Sequence, residues 1–344
     1  MRTTPTLPPK VTLPISELEK KNNPAGAAIP SLSLAKVLLI VNPAAGSRLK
    51  RKKLGRIIEH LRRAASSLEI IYTTAVRDAT RLVKEKRKDG WTLFLCAGGD
   101  GTINEIVNGM IDEDDPASDQ TPSPPLGILP TGTGNGLARE IGLPLDPWKA
   151  YQALLSGTAK PIFLGRVTRQ ENPSGAKAHR YFVLLAGAGF DGYVSGWVER
   201  RSALLRKIPK LWVYFILGFI GLFVYRYPIL HFTADGASYT GSTGVVARAR
   251  LIAGPFIFSP LSDLRARSLI LCLVKPAGPL GYFGMLLPLL FRRKPGKEVQ
   301  YVEGKVIEAA GEGIIHADGE TIGPLPARFT LSEKPIYLVY PKPE

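Results

Sequence analysis

Apolar and polar positions follow two different rhythms along this chain, and the change falls near Leu164. Before it, short apolar runs rich in β-branched residues are separated by longer stretches with helical spacing, the pattern of β-α-β units on a parallel sheet. The runs AKVLLIV (35–41), LEIIYT (68–73), WTLFLCA (91–97) and LGILP (126–130) predict strands. The segments between them predict helices near 47–65, 78–89 and 102–111, the second with Asp78 as its cap. DEDDPASDQTPSPP (112–125) is acidic and proline-rich and cannot continue a helix, so it predicts a solvated loop. After Leu164 the runs RYFVLLAG (180–187), GVVARARLIA (244–253) and SLILCLV (268–274) stand between glycine and proline punctuation and predict a second, mostly β domain.

Two apolar stretches interrupt that β pattern. LWVYFILGFIGLFVY (211–225) lies between Arg206, Lys207, Lys210 and Arg226; GPLGYFGMLLPLLF (278–291) runs into Arg292, Arg293 and Lys294. Both are shorter than the ~20 apolar residues of a spanning helix, and the second contains a proline. Apolar segments edged with cations suit docking on an anionic bilayer, and packing inside the domain accounts equally well for their apolar character. Peripheral membrane contact through 211–225 and 278–294 is therefore an expectation.

Composition narrows the partners. The 344 residues suffice for about two domains with cores of their own. Lys and Arg number 45 against 29 Asp and Glu, a net charge of +16 that favours nucleotides, nucleic acid or anionic lipid. Nucleic acid is set aside, because basic runs such as RLKRKK (48–53) lack interleaved aromatics. Cys96 and Cys272 each sit in an apolar run, and the four histidines have no metal-ligand spacing. Residues 1–33, rich in Pro, Lys and Asn, read as a disordered leader without the apolar centre of a secretion signal, so a cytoplasmic location, peripheral to the inner face of the membrane, is expected.

Three glycine-bearing segments, NPAAGS (42–47), GGDGTINE (98–105) and TGTGNGLAR (131–139), each follow a predicted strand and should meet at the carboxyl edge of the sheet, where open α/β folds bind ligands. Glycine there lets backbone amides approach phosphates, and a helix starting at Thr102 adds its N-terminal amides. One such loop alone is more often a plain tight turn; three at one edge describe an oligophosphate cradle. Asp100 among these glycines would repel a nucleotide unless a cation lay between, which suggests Mg²⁺; a helix-capping aspartate is the competing reading.

On these residues the chain resembles the diacylglycerol kinase catalytic-domain family, in its bacterial lipid kinase branch, a group related to the sphingosine and NAD kinases. The likeness rests on Asn42, Pro43 and Gly46; Thr73, Thr74 and Ala79; GGDGT with Asn104 and Glu105; Pro130, Gly132, Thr133, Asn135, Ala138 and Arg139; then GAGFDG (187–192) and ADGE (317–320). It implies an α/β ATP-binding domain over 34–164 and a β-sandwich-like lipid-substrate domain over 165–334. It further implies a final segment, 335–344, that returns to the first domain through IYLVY (336–340). The implied nucleotide ligands are Asn42, Thr74, Gly98, Gly99, Asp100, Gly101, Thr102, Glu105, Thr131, Gly132, Thr133 and Asn135. Asp100 would bind metal, Asp318 would be the general base with Glu320 beside it, and the substrates would be ATP with Mg²⁺ and a lipid alcohol such as diacylglycerol. An Asp-Gly pair is also a common hairpin turn, which is the competing reading of Asp318.

Two departures from the family pattern stand out. Phe163 occupies the place of an aspartate before Leu-Gly, and Ala266 and Arg267 replace an Asp-Gly pair in SPLSDLRARSLI (259–270), the family's structural metal loop. An NAD kinase-like soluble kinase, which would share GGDGT, and a non-catalytic nucleotide- or lipid-binding module are the alternatives.

Overall fold

Strand Lys36–Val41 is buried along almost its whole length, which explains why its sequence runs apolar without alternating. It lies near the centre of a six-stranded sheet ordered Ser67–Tyr72, Lys36–Val41, Leu93–Gly98, Leu126–Pro130, Ile336–Tyr340, Thr158–Ile162. The first five strands are parallel and the last antiparallel. Leu54, Ile57 and Leu61 bury the inner face of helix Arg48–Ala64 in the same core as Leu38, Leu39 and Ile40. Full burial of each such side chain is worth about 1.5–3 kcal/mol. The computed structural model describes residues 33–111, 123–170, 177–201, 210–252, 254–275, 278–290 and 299–342. The expected leader up to residue 32 and most of the acidic 112–125 stretch lie outside the described residues.

Two further six-stranded sheets are antiparallel throughout. One is ordered Ala237–Gly241, Leu230–Ala234, Ile307–Ala310, Ala327–Leu331, Gly165–Gln170, Lys177–Phe182. The other is ordered Val299–Gly304, Leu269–Val274, Thr243–Ala247, Leu185–Gly189, Ile314–Ala317, Glu320–Pro324. Phe182, Phe232 and Phe329 of the first share one core with Val246, Leu271 and Ile315 of the second, so the sheets pack face to face. The outer face of the second sheet, through Val245, Cys272 and Val274, packs against Leu222, Tyr282 and Met285.

The expected α/β first half and the strands after Leu164 are present, with three corrections. RYFVLLAG is not one strand: Lys177–Phe182 ends, the chain turns a corner at Val183 and Leu184, and Leu185–Gly189 joins the other sheet. GVVARARLIA breaks after Ala247, because the amides of Arg248 and Ala249 both turn to the carbonyl of Leu184. Asp78 is the first residue of helix Asp78–Lys86 rather than its cap; Arg77 precedes it in a left-handed conformation.

The apolar stretches form helices Lys210–Val224 and Pro279–Leu290. Val213, Leu217 and Leu222 face inward, while Ile216, Phe219, Ile220, Phe223 and Val224 are exposed, as are Leu280 and Phe283 on the second helix. Among the described residues no helix is long and apolar enough to cross a membrane. Arg206, Lys207 and the 292–294 cations lie outside the described residues.

Candidate active site

The three glycine loops meet, as their common sheet edge requires. The Asn42 Nδ2 donates to Thr102 Oγ1 at 3.0 Å, and the amides of Thr131 and Gly132 donate to the Gly98 carbonyl at 3.1 and 3.2 Å. A Cβ on Gly132 would stand 2.5 Å from the Gly99 Cα, so the two backbones touch in a way only glycine permits. Gly46, at φ +90°, faces the Thr131 carbonyl at 2.8 Å by the same measure. Asn135, also left-handed, donates its Nδ2 to the Gly132 carbonyl, and Thr133 lies in the short link between them.

Asp100 joins two of these loops. Its carboxylate accepts the amides of Gly136 at 2.9 Å and Leu137 at 3.1 Å, capping the start of helix Gly136–Glu140. Asp100 does not cap its own helix, which begins at Asp100 itself; its carboxylate serves another helix instead. Gly101 lies exposed in that first turn.

Thr74 and Glu105 converge elsewhere, on the start of helix Asp78–Lys86. Thr74 donates its amide and its hydroxyl to Asp78 Oδ2, while the Glu105 carboxylate accepts the amides of Arg77 at 2.9 Å and Ala79 at 3.1 Å. The Thr74 amide and the Arg81 guanidinium hold the Asp78 carboxyl below its ordinary value.

A second construction brings distant sequence onto helix Asp100–Met110. Asp318 and Gly319, both with positive φ, form the tight turn between strands Ile314–Ala317 and Glu320–Pro324, so the hairpin reading of Asp-Gly is correct. The Asp318 carboxylate accepts four donors: the amides of Val183, Leu184 and Leu185 at 2.7, 2.9 and 3.0 Å, and Asn104 Nδ2 at 2.8 Å. This is what turns the corner that splits RYFVLLAG. Asn104 and Asn108 both donate to the Tyr181 carbonyl, and the Tyr181 amide returns a bond to Asn108 Oδ1, so the helix is clamped to the antiparallel sheets. Burial pushes the Asp318 carboxyl above its ordinary value against the opposing pull of its amides and Asn104. Glu320 pairs with Arg180 at 2.9 Å.

Two groups near the cradle escaped the sequence reading. Lys50 Nζ donates to the carbonyls of Thr131 at 3.3 Å and Gly132 at 2.8 Å; burial and the nearby Arg139 cation lower its pKa. It was hidden within the basic run 48–53, which looks like a solvated helix face. Glu140, 9 % exposed, receives Arg250 Nε and the amides of Arg250 and Leu251, fastening the cradle's helix to the segment after Ala247.

The cradle fits a polyphosphate. The close-packed glycines bring the three loops together, and among the described residues Thr131 Oγ1 and Asn135 Oδ1 are buried without partners: the hydroxyl can donate to a phosphate oxygen, and the amide oxygen, an acceptor, suits water or a cation. Among the described residues no three acidic, His or Cys side chains gather as a metal site. Asp100, with one amide on each oxygen, suits a cation carried in by phosphates and water better than one caged by protein.

Residues 36–167 match the family model of the diacylglycerol kinase catalytic domain. A diacylglycerol kinase of Bacillus subtilis (strain 168) is 28% identical over 311 residues, covering 88% of this chain and 96% of that relative. One of Staphylococcus haemolyticus is 28% identical over 310 residues, covering 88% of each chain. A crystal structure of a diacylglycerol kinase from Bacillus anthracis superposes with a TM-score of 0.65 at 21% identity, over 89% of this chain and 97% of that one. Yeast NADH kinase, solved with NADH, superposes with a TM-score of 0.51 at 12% identity, over 89% and 83% of the two chains. These last two are likenesses of fold.

Proposed function

We propose that the chain is a lipid kinase that transfers the γ-phosphoryl group of Mg²⁺-bound ATP to the hydroxyl of diacylglycerol or a related lipid alcohol. The observation that carries this reading is the 2.8 Å bond between Asn104, on the helix that GGDGT begins, and Asp318 of the ADGE turn. It sets the carboxylate we assign as the base directly against the helix of the phosphate cradle. The family match and the similar diacylglycerol kinases support the same reading.

The geometry supports the following roles. The amides of the 98–102 turn, with the Thr131 hydroxyl as a further donor, bind and orient the phosphates; Asn42 fixes the Thr102 hydroxyl. Mg²⁺, reached through Asp100 and water, would neutralise charge on the transferred group. Asp318 accepts the proton of the attacking hydroxyl, its raised pKa bringing it nearer the range useful for a base. Glu320 is held in place beside it by Arg180.

The division of labour is an ATP-binding domain over residues 34–164 and a lipid-binding domain over 165–334, with 335–344 returning to the first through strand Ile336–Tyr340. The exposed faces of helices Lys210–Val224 and Pro279–Leu290 support docking on an anionic bilayer from the cytoplasmic side. Phe219→Asp with Phe223→Asp is expected to lower co-sedimentation with anionic vesicles by about tenfold while nucleotide affinity stays unchanged.

The deciding experiment offers labelled ATP and a panel of lipid alcohols in mixed micelles, with products identified by mass spectrometry. Phosphorylated lipid is expected. Nucleotide binding without ADP release on any lipid would sink the catalytic claim, and phosphate entering NAD but no lipid would transfer it to the soluble kinase class.

A further inference from the structure

The two departures from the family pattern touch each other. The Arg267 guanidinium lies over the Phe163 ring, 4.9 Å from its centroid. Directly behind them is the most deeply buried charge among the described residues: Arg248 is 1% exposed. Among the described residues no carboxylate pairs with its guanidinium, which instead donates to four backbone carbonyls. Nε bonds Phe163 at 2.9 Å, Nη2 bonds Ala266 at 2.9 Å and also Leu264, and Nη1 bonds Ser268. A ring of carbonyl oxygens converging on one charge is the environment proteins build for a bound cation.

The loop's only carboxylate is also taken. Asp263 accepts the Arg265 amide at 2.9 Å and its Nη2 at 3.1 Å. Carbonyls and carboxylate, the two ligand types a hard divalent ion would need, are thus both occupied by guanidinium groups. Burial lowers the Arg248 pKa to about 10, which leaves it charged at neutral pH.

We propose that this chain carries its own cation where its family pattern implies a structural metal: Arg248, caged by four carbonyls and covered by the Phe163–Arg267 pair, pins the 259–268 loop and makes a divalent ion there unnecessary. The position matters because the loop holds the link between sheets. Phe163 donates its amide to the Leu264 carbonyl, and Leu164 exchanges bonds with Ser332 at the point where the chain passes from strand Thr158–Ile162 to strand Gly165–Gln170. A metal lost to a chelator would loosen that link; a side chain cannot leave.

The test is hydrogen exchange of peptides spanning 259–268 in the full chain without nucleotide, with EDTA, with millimolar MgCl2 and with millimolar CaCl2, alongside elemental analysis of the purified protein. Equal protection in all three solutions, with no stoichiometric metal, is expected. Metal-dependent protection of this loop, or a bound ion whose removal speeds its exchange, would overturn the proposal. Arg248→Lys keeps the charge but replaces a planar fork by a single ammonium; it is expected to speed exchange in 259–268 at least ~10-fold and to be insensitive to added metal. Unchanged protection in this variant would also overturn it. If it fails to fold, the wild-type metal arms and Arg267→Ala, expected to raise exchange ~2- to 5-fold at the Phe163 side of the loop, decide the matter.

Discussion

The glycine cradle and the 259–268 loop solve opposite halves of one electrostatic problem. In the cradle Thr131 Oγ1 and Asn135 Oδ1 are left without partners among the described residues, an opening for the proposed nucleotide and the cation and water that would come with it. In the loop the backbone turns carbonyls inward, and the charge that completes them, Arg248, is part of the chain. A site that must release its ligand leaves its polar groups open; a site that must hold two sheets together fills them permanently. The difference teaches where each will fail: the first in binding, the second in stability.

Substitutions can break that contrast. The largest effect is expected for Asp318→Asn, which removes the proposed base and turns an amide donor toward amides that already donate; turnover of lipid should fall by about 10²–10⁴-fold with nucleotide affinity nearly unchanged. Wild-type turnover in this variant would remove Asp318 from the chemistry. Arg248→Ala should cost at least ~3 kcal/mol in denaturant unfolding, because four carbonyls lose their donor. Thr131→Val, which removes a buried hydroxyl without a partner among the described residues and keeps the side chain's shape, should behave in the opposite way, lowering nucleotide affinity by about tenfold in a binding titration while thermal stability changes little. A stability loss for Thr131→Val as large as that for Arg248→Ala would end the distinction.

The smallest effects are electrostatic. Burial pushes the Asp263 carboxyl up, but Arg265 and Arg248 outweigh it and hold the group below its ordinary value, as Thr74 and Arg81 hold Asp78. Groups depressed on folding add stability above their unfolded pKa and lose it as pH falls, so the melting temperature should drop below about pH 4. Asp78→Asn and Asp263→Asn should each flatten that slope, and an unchanged slope in both would refute the assignment. The exposed Arg267 is expected to contribute only ~0.5–1 kcal/mol through Phe163, measured as Arg267→Ala.

Much was legible in the sequence, and unevenly. The strands of the first sheet were visible because parallel strands buried on both faces read as unbroken apolar runs, as in Leu93–Gly98. Helix Pro147–Leu155 carries a readable signal too, Asp146 as the cap before a proline at the first turn. The corner at Val183 and Leu184 had no local signal at all. It exists because a carboxylate 133–135 positions away accepts its three amides.

By itself, then, the sequence determined the α/β rhythm, the three glycine loops and their common sheet edge, since periodicity and glycine dihedrals are local properties. Only the tertiary structure decided how the charged residues are spent. It made Glu105 a helix cap, placed Asp100 across two loops, joined Asp318 to Asn104, and turned Arg248 inward to cage the loop beside Phe163. A charge takes its role from whichever donors and acceptors the fold sets within about 3 Å of it, and those come from parts of the chain that no sequence window contains.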